Sequence, residues 1–199
     1  AQQVQYLGLT TETESPGHEP HDVAVTFDRL GGVCRDKAAL LVSMLRLAGF
    51  KAYPVLIHTG PKRDPEVPIP WFNHAISCVE NEDGAYTLMD ATSENAKTLL
   101  PAYLSDKSYL VAKPEGDALR VSPIVPASEN LLRAETRGTV DAAGTLRCES
   151  VLHFDGVNDD QYRGYFAGIT PDERRKFFEG LVKSAAAGAR LAEFAIEPE

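Results

Sequence analysis

Residues 31–50 read GGVCRDKAALLVSMLRLAGF, and the helix inside them constrains the chain more than any other stretch. From Arg35 to Ala48, apolar residues recur at helical spacing. Ala38, Leu41, Leu45 and Ala48 share one face, and Leu40, Met44 and Leu47 widen it. A stripe this broad predicts a largely buried helix, because only a covering layer keeps it from water. Asp36 suits the positively polarised first turn, and Gly49 is a natural stop. The covering layer follows in the chain. KAYPVLIHT (51–59) reads as a strand, with Pro54 an obstacle to full pairing. After the proline-rich loop 61–70, WFNHAISCVE (71–80) and AYTLMDAT (85–92) read as two strands joined by the turn signal NEDG. Strands bunched after one helix predict an α+β fold, not alternating βαβ units.

Downstream, LPAYLSDKSYLVAK and ALRVSPIVP predict loops and short strands, and residues 123–130 have linker composition. Residues 131–157 alternate as a second hairpin. Thr170, Pro171 and Glu173 open a helix running to 186, with an N-cap, a first-position proline and a capping box. The expected organisation is a core over 1–126 and a β-rich module over 127–199. That module is too small to bury much apolar surface, so it reads as truncated, with an exposed edge or apolar patch. The opening AQQVQYLGL lacks an initiator Met and reads as part of a longer protein.

Charge narrows the partners. A formal charge of −9 and a pI near 5.1 disfavour nucleic acid and anionic membrane surfaces, which call for a basic face. No apolar run approaches the roughly 18 residues of a membrane span. Cys34, Cys78 and Cys148 are an odd number without CxxC spacing, so neither a disulfide scaffold nor a structural zinc site is expected. GHEPHD brings His18 and His21 near Glu19 and Asp22, but the spacing fits no metal motif and reads as a solvated turn. The expectation is therefore of no metal and no cofactor.

Cys34 stands where a helix begins. A thiolate there meets unpaired N–H groups and the positive end of the helix dipole, which favour its charge. Gly31 and Gly32 allow a sharp turn and leave room for a substrate, and N–H groups around Cys34 can stabilise an oxyanion. Alone, Cys34 reads equally well as a packed thiol. The hairpin over 71–92 adds His74 on one strand and Asp90 on the other. Their midpoint is residue 82, inside the turn, so they are directly opposite or one diagonal apart. A carboxylate that orients an imidazole frees its other nitrogen to serve a thiol. Cys78 shares the His74 strand face and reads as packing beneath the site. Cys148 reads as structural, and the charged run 173–176 as a solvated helix face.

Taken together, GGVCRDKAALLVSMLRLAGFKAYPVLI, FNHAI and YTLMDAT resemble the core of the transglutaminase-like superfamily over roughly residues 3–115. The resemblance implies a papain-like, transglutaminase-type core in which Cys34 is the nucleophile, His74 the general base and acid, and Asp90 the orienting acid. It implies a thiol enzyme acting on amide bonds of a peptide, protein or cell-wall substrate through an acyl-enzyme. Hydrolysis is the favoured outcome, since no amine-binding site is marked. Transfer to an amine, or a non-catalytic module holding a peptide or glycan, are the alternatives. Bacterial relatives are commonly exported and carry further domains, and the segment after residue 130 is similar to a β-rich module that follows this core. Many of them have Gly-Asp-Cys-Lys-Asp where this chain has Gly32-Val33-Cys34-Arg35-Asp36. No calcium loop is visible. Some relatives place an upstream side chain at the oxyanion site; Gln3, Gln5 and Tyr6 all lie in that region. Trp71 and Phe72, just before the histidine, are candidates for a substrate-groove wall.

Overall fold

The helix forms where its periodicity places it. In a computed structural model describing residues 3–8, 17–62 and 71–197, a short helix α1 (Val23–Arg29) leads into α2 (Cys34–Leu47). Asp22 caps α1 by accepting from the Ala24 N–H at 2.8 Å. Before and between these helices, β1 (Gln5–Tyr6) pairs in parallel with β2 (Gly31–Gly32). The main sheet follows as β3 (Ala52–Ile57), β4 (His74–Glu80), β5 (Tyr86–Met89), β6 (Ser108–Val111) and β7 (Arg120–Val121). Its order is β5-β4-β3-β6-β7, antiparallel throughout, so the architecture is α+β.

Alternation along the strands gives the sheet two dry faces. One carries Ser77, whose hydroxyl donates to the Ala38 carbonyl of α2 at 3.2 Å. The other carries Val55, Ile57, Ile76, Cys78, Leu88, Tyr109 and Val111, which form the core with Leu104. Each fully buried aliphatic side chain there contributes about 1.5–3 kcal/mol. Pro54 sits in the central strand, where proline is rare. Its carbonyl accepts from the Ala112 N–H, so its missing N–H falls on the β6 side, where the β3–β6 pairing runs only from Val55 to Ile57. The ladder to β4 stays whole.

The burial of α2 departs from its apolar pattern. Ala38, Leu40 and Val42 are buried, yet Leu47 is 90% exposed and Met44 is also exposed. Asp36 and Lys37 are buried instead. Only the first half of the helix lies under its neighbours, and there the charged side chains have partners. Asp36 accepts from the Val33 N–H at 3.0 Å and the His21 N–H at 2.9 Å. The Lys37 ammonium donates to the Val4 carbonyl and pairs with Glu94 at 3.1 Å. A buried charge without such partners would cost several kcal/mol.

The glycine pair also serves a different purpose from a sharp turn. The left-handed residue at this corner is Leu30, at φ 49. Gly32 is needed for space: a Cβ there would lie 2.8 Å from the Asp36 Cβ and 3.3 Å from Thr26, whereas at Gly31 it would meet only the Leu7 side chain, at 3.4 Å or more.

The chain divides into two compact units, residues 1–160 and 161–199. Residues 123–130 are tied down within the first unit: Asp106 donates to the Pro123 carbonyl and Val125 to the Ser105 hydroxyl. Among the described residues the second hairpin, β8 (Leu132–Val140) and β9 (Leu146–Phe154), pairs only with itself. Leu132, Val140, Leu146 and Val151 on it are exposed. Two helices follow, α3 (Val157–Ala167) and α4 (Pro171–Ala185), so helix outweighs strand after residue 127. Thr170 caps α4 and Glu173 returns the bond to the Thr170 N–H at 2.9 Å. Within the second unit, Phe166, Phe177, Phe178 and Phe194 pack at centroid distances of 4.8–5.5 Å, some pairs stacked and some edge-on.

The two glycines give a direct stability comparison. Gly32→Ala is expected to lose about 1–3 kcal/mol through overpacking against Asp36, and Gly31→Ala clearly less. Urea unfolding midpoints of the two variants at equal m-value check this.

Candidate active site

Cys34 is the first residue of α2 and is half-buried. Its cap residue, Val33, has no side-chain acceptor, so Asp36 completes the helix start from inside. The thiol takes hydrogen bonds from the backbone of Arg35 and of Ala75, the residue next to His74.

His74 opens β4, and Asp90 directly follows β5. The pairing Ser77↔Met89 has its midpoint at residue 83, one residue later than the turn signal suggests, so Asp90 meets His74 diagonally. The contact forms all the same: His74 Nε2 lies 3.0 Å from Asp90 Oδ2. Nδ1 is the nitrogen left for Cys34, and the thiol and imidazole hydrogen-bond. The structure thus brings Cys34, His74 and Asp90 into one chain of contacts.

The electrostatics follow from burial and partners. Burial pushes the Cys34 thiol up, but the His74 hydrogen bond and the Ala75 N–H outweigh it, and the pKa is lowered. Burial pulls the His74 imidazolium down, yet bonds to Asp90 and Cys34 raise it to about 9. Burial raises Asp90, and bonds from His74, Tyr103 and Thr92 bring it below the usual carboxylate range. A cysteine shifted down beside a histidine shifted up is the signature of a thiolate–imidazolium pair.

Two residues here escaped the sequence reading. Thr92 donates to Asp90 Oδ1 through its N–H at 2.8 Å and its hydroxyl at 2.7 Å. An Asp-x-Thr turn is a recognisable local signal for this. Tyr103, in the 3₁₀ turn Ala102–Leu104, donates to Asp90 Oδ2 at 2.6 Å. Nothing local announces it, because it returns to the site from 13 residues downstream.

Among the upstream candidates, strand alternation separates Gln5 from Tyr6. Tyr6 lies opposite Gly32 in the β1–β2 pair. Burial raises its phenol pKa, and the charges of Cys34 and Asp90 raise it further, so the phenol is within electrostatic reach of both. Gln5 turns the other way and lines, with Leu7, His21 and Val25, a cavity of about 150 Å³. Gln3 is exposed. Trp71 is 61% exposed and Phe72 half-buried at the entry to β4. His18 and Glu19 are exposed, but His21 leaves the predicted solvated turn to bond the buried Asp36 carboxylate, Nδ1 to Oδ1 at 3.1 Å. Among the described residues no group of side chains could hold a metal. Cys78 is in the core, and burial pushes its thiol up to about 11. Cys148 is exposed on the hairpin, with its sulfur over Gly138 of the paired strand.

Comparisons with protein-family models, with curated proteins and with solved structures return no match.

The pairing predicts an order of thiol reactivity. At neutral pH, brief iodoacetamide treatment followed by mass spectrometry is expected to label Cys34 fastest and Cys78 slowest. In His74→Ala the Cys34 labelling midpoint is expected to move up toward ordinary cysteine, since both the hydrogen bond and the imidazolium charge are lost. Equal labelling of all three thiols in the native protein would contradict the pairing.

Proposed function

We propose that this chain is a thiol enzyme acting on amide or peptide bonds, with a papain-like, transglutaminase-type core. The observation that carries the reading is the contact chain Cys34–His74–Asp90, with Cys34 at a helix start and Asp90 on the far nitrogen of His74. Helix, histidine strand and aspartate strand also occur in the order that the sequence resemblance implies.

The chemistry follows from these positions. The Cys34 thiolate attacks the carbonyl carbon, and a carbon–sulfur bond forms as the carbonyl electrons move to oxygen. The N–H groups at the start of α2 and the Tyr6 hydroxyl are the candidate donors to that oxyanion. As the carbon–nitrogen bond breaks, His74 Nδ1 gives its proton to the leaving amine, and Asp90 holds the ring through Nε2. Neutral His74 then takes a proton from water, whose oxygen attacks the thioester. The carbon–sulfur bond then breaks, its electrons return to sulfur, the acid is released, and the thiolate–imidazolium pair is restored. Trp71 and Phe72 are the proposed wall of the groove beside His74. Hydrolysis is preferred over transfer because the chain marks no amine-binding site.

The pH dependence has a definite sign. The reactive pair needs an ionised Cys34 and a protonated His74. Activity is expected to rise as the lowered Cys34 pKa is passed and to fall as pH passes about 9, where His74 loses its proton.

An acyl-directed electrophilic probe and a panel of peptide and cell-wall amides, offered to the full chain, test the reading. Probe labelling is expected to vanish in Cys34→Ala. Asp90→Asn is expected to lower turnover by about 10²–10⁴-fold, the range for a disabled acid–base pair. Labelling that survives Cys34→Ala, or full turnover in His74→Ala, would overturn it. Added amines that convert product acid into product amide would establish transfer.

A further inference from the structure

Tyr103 stands outside the triad but touches two of its members. Its hydroxyl donates to Asp90 Oδ2 at 2.6 Å, the same oxygen that His74 Nε2 approaches at 3.0 Å. The hydroxyl oxygen lies 3.3 Å from Nε2. The three atoms make a triangle with an acute angle at the hydroxyl, so the hydrogen aimed at Asp90 lies nearer Nε2 than its own oxygen does. The positive end of the O–H dipole therefore faces the imidazolium. Its bond to Oδ2 also draws electron density from the carboxylate that supports that imidazolium.

We infer that Tyr103 is a positioning residue that weakens the hold of Asp90 on His74, keeping the imidazolium acidic enough to release its proton to a leaving amine. The inference rests on the thiol–imidazole reading above. The geometry is held from behind: Pro101 and Leu104 on either side are buried, and Leu104 belongs to the core, while the Tyr103 ring is 44% exposed. The ring stands 6.4 Å from the His74 ring, tilted by 45°. Burial and the Asp90 charge raise its phenol far above neutrality, so it stays a donor. The other groups facing the pair are Cys34 from α2, Tyr6 from β1 and Thr92, which saturates Asp90 Oδ1. None of them donates to Oδ2 in the manner of Tyr103.

The test compares the wild-type chain with Tyr103→Phe, which keeps the ring and loses only the hydroxyl. Two titrations are followed, the His74 imidazole by NMR and Cys34 alkylation by iodoacetamide against pH. Loss of the donor is expected to shift the His74 midpoint upward from about 9 by roughly one pH unit. It is also expected to extend Cys34 alkylation to lower pH. A merely structural role would lower the unfolding midpoint without moving these titrations in that direction. If Tyr103→Phe does not fold, a fluorinated tyrosine at position 103, a stronger donor of the same shape, is expected to shift the His74 midpoint downward. An unchanged midpoint, or one that moves in the opposite direction, overturns the inference and leaves the enzyme reading standing. A wild-type chain in which Cys34 and His74 titrate as ordinary groups overturns both.

Discussion

An aspartate and a lysine buried side by side in the first turn of α2 decide where the site sits. Asp36 gathers the Val33 N–H, the His21 N–H and the His21 ring. Lys37 reaches the Val4 carbonyl and Glu94. Glu94 also takes the Tyr6 N–H, so one ion pair ties the first strand, the helix and the loop after β5. Cys34 is next to that anchor, and Tyr6 is delivered to it. Buried charges of this kind add little net stability, because desolvation offsets attraction. What they do here is fix register: each partner satisfies only one arrangement of three segments that are far apart in the chain.

Asp90 repeats the logic on the opposite side of the site. Its carboxylate accepts from His74, Tyr103, the Thr92 N–H and the Thr92 hydroxyl, two donors to each oxygen. A carboxylate with its lone pairs filled stays ionised and cannot rotate, so His74 has one orientation open to it. The core beneath, with Ile76 and Cys78 on the His74 strand, holds β4 and β5 in register and transmits that rigidity. Tyr103, Trp71 and Tyr6 are exposed around this site, and the Cys34 sulfur is half-buried.

Local signals were strongest where one segment suffices. Apolar spacing placed α2, the NEDG turn placed β4 beside β5, and Thr170 with Glu173 placed the start of α4. Cys34, His74 and Asp90 could be singled out because a helix start and a matched hairpin register are both short-range features. Helices α1 and α3 were not legible: VAVTFDR carries a mixed pattern, and VNDDQYRGYFA has few apolar residues outside the Tyr162–Phe166 stretch.

Sequence by itself determined the helix, the strand pair and the side chains that make a thiol–imidazole–carboxylate chain possible, because these depend on spacings of a few residues. Tertiary structure alone decided that Leu47 is exposed while Lys37 is buried, that Gly32 is required by the approach of Asp36, and that Tyr103 shares an oxygen with His74. The reason is physical. Periodicity reports which side of an element is apolar, but burial depends on how far a neighbouring layer extends. A hydrogen bond between residues distant in the chain exists only once the core has set their separation.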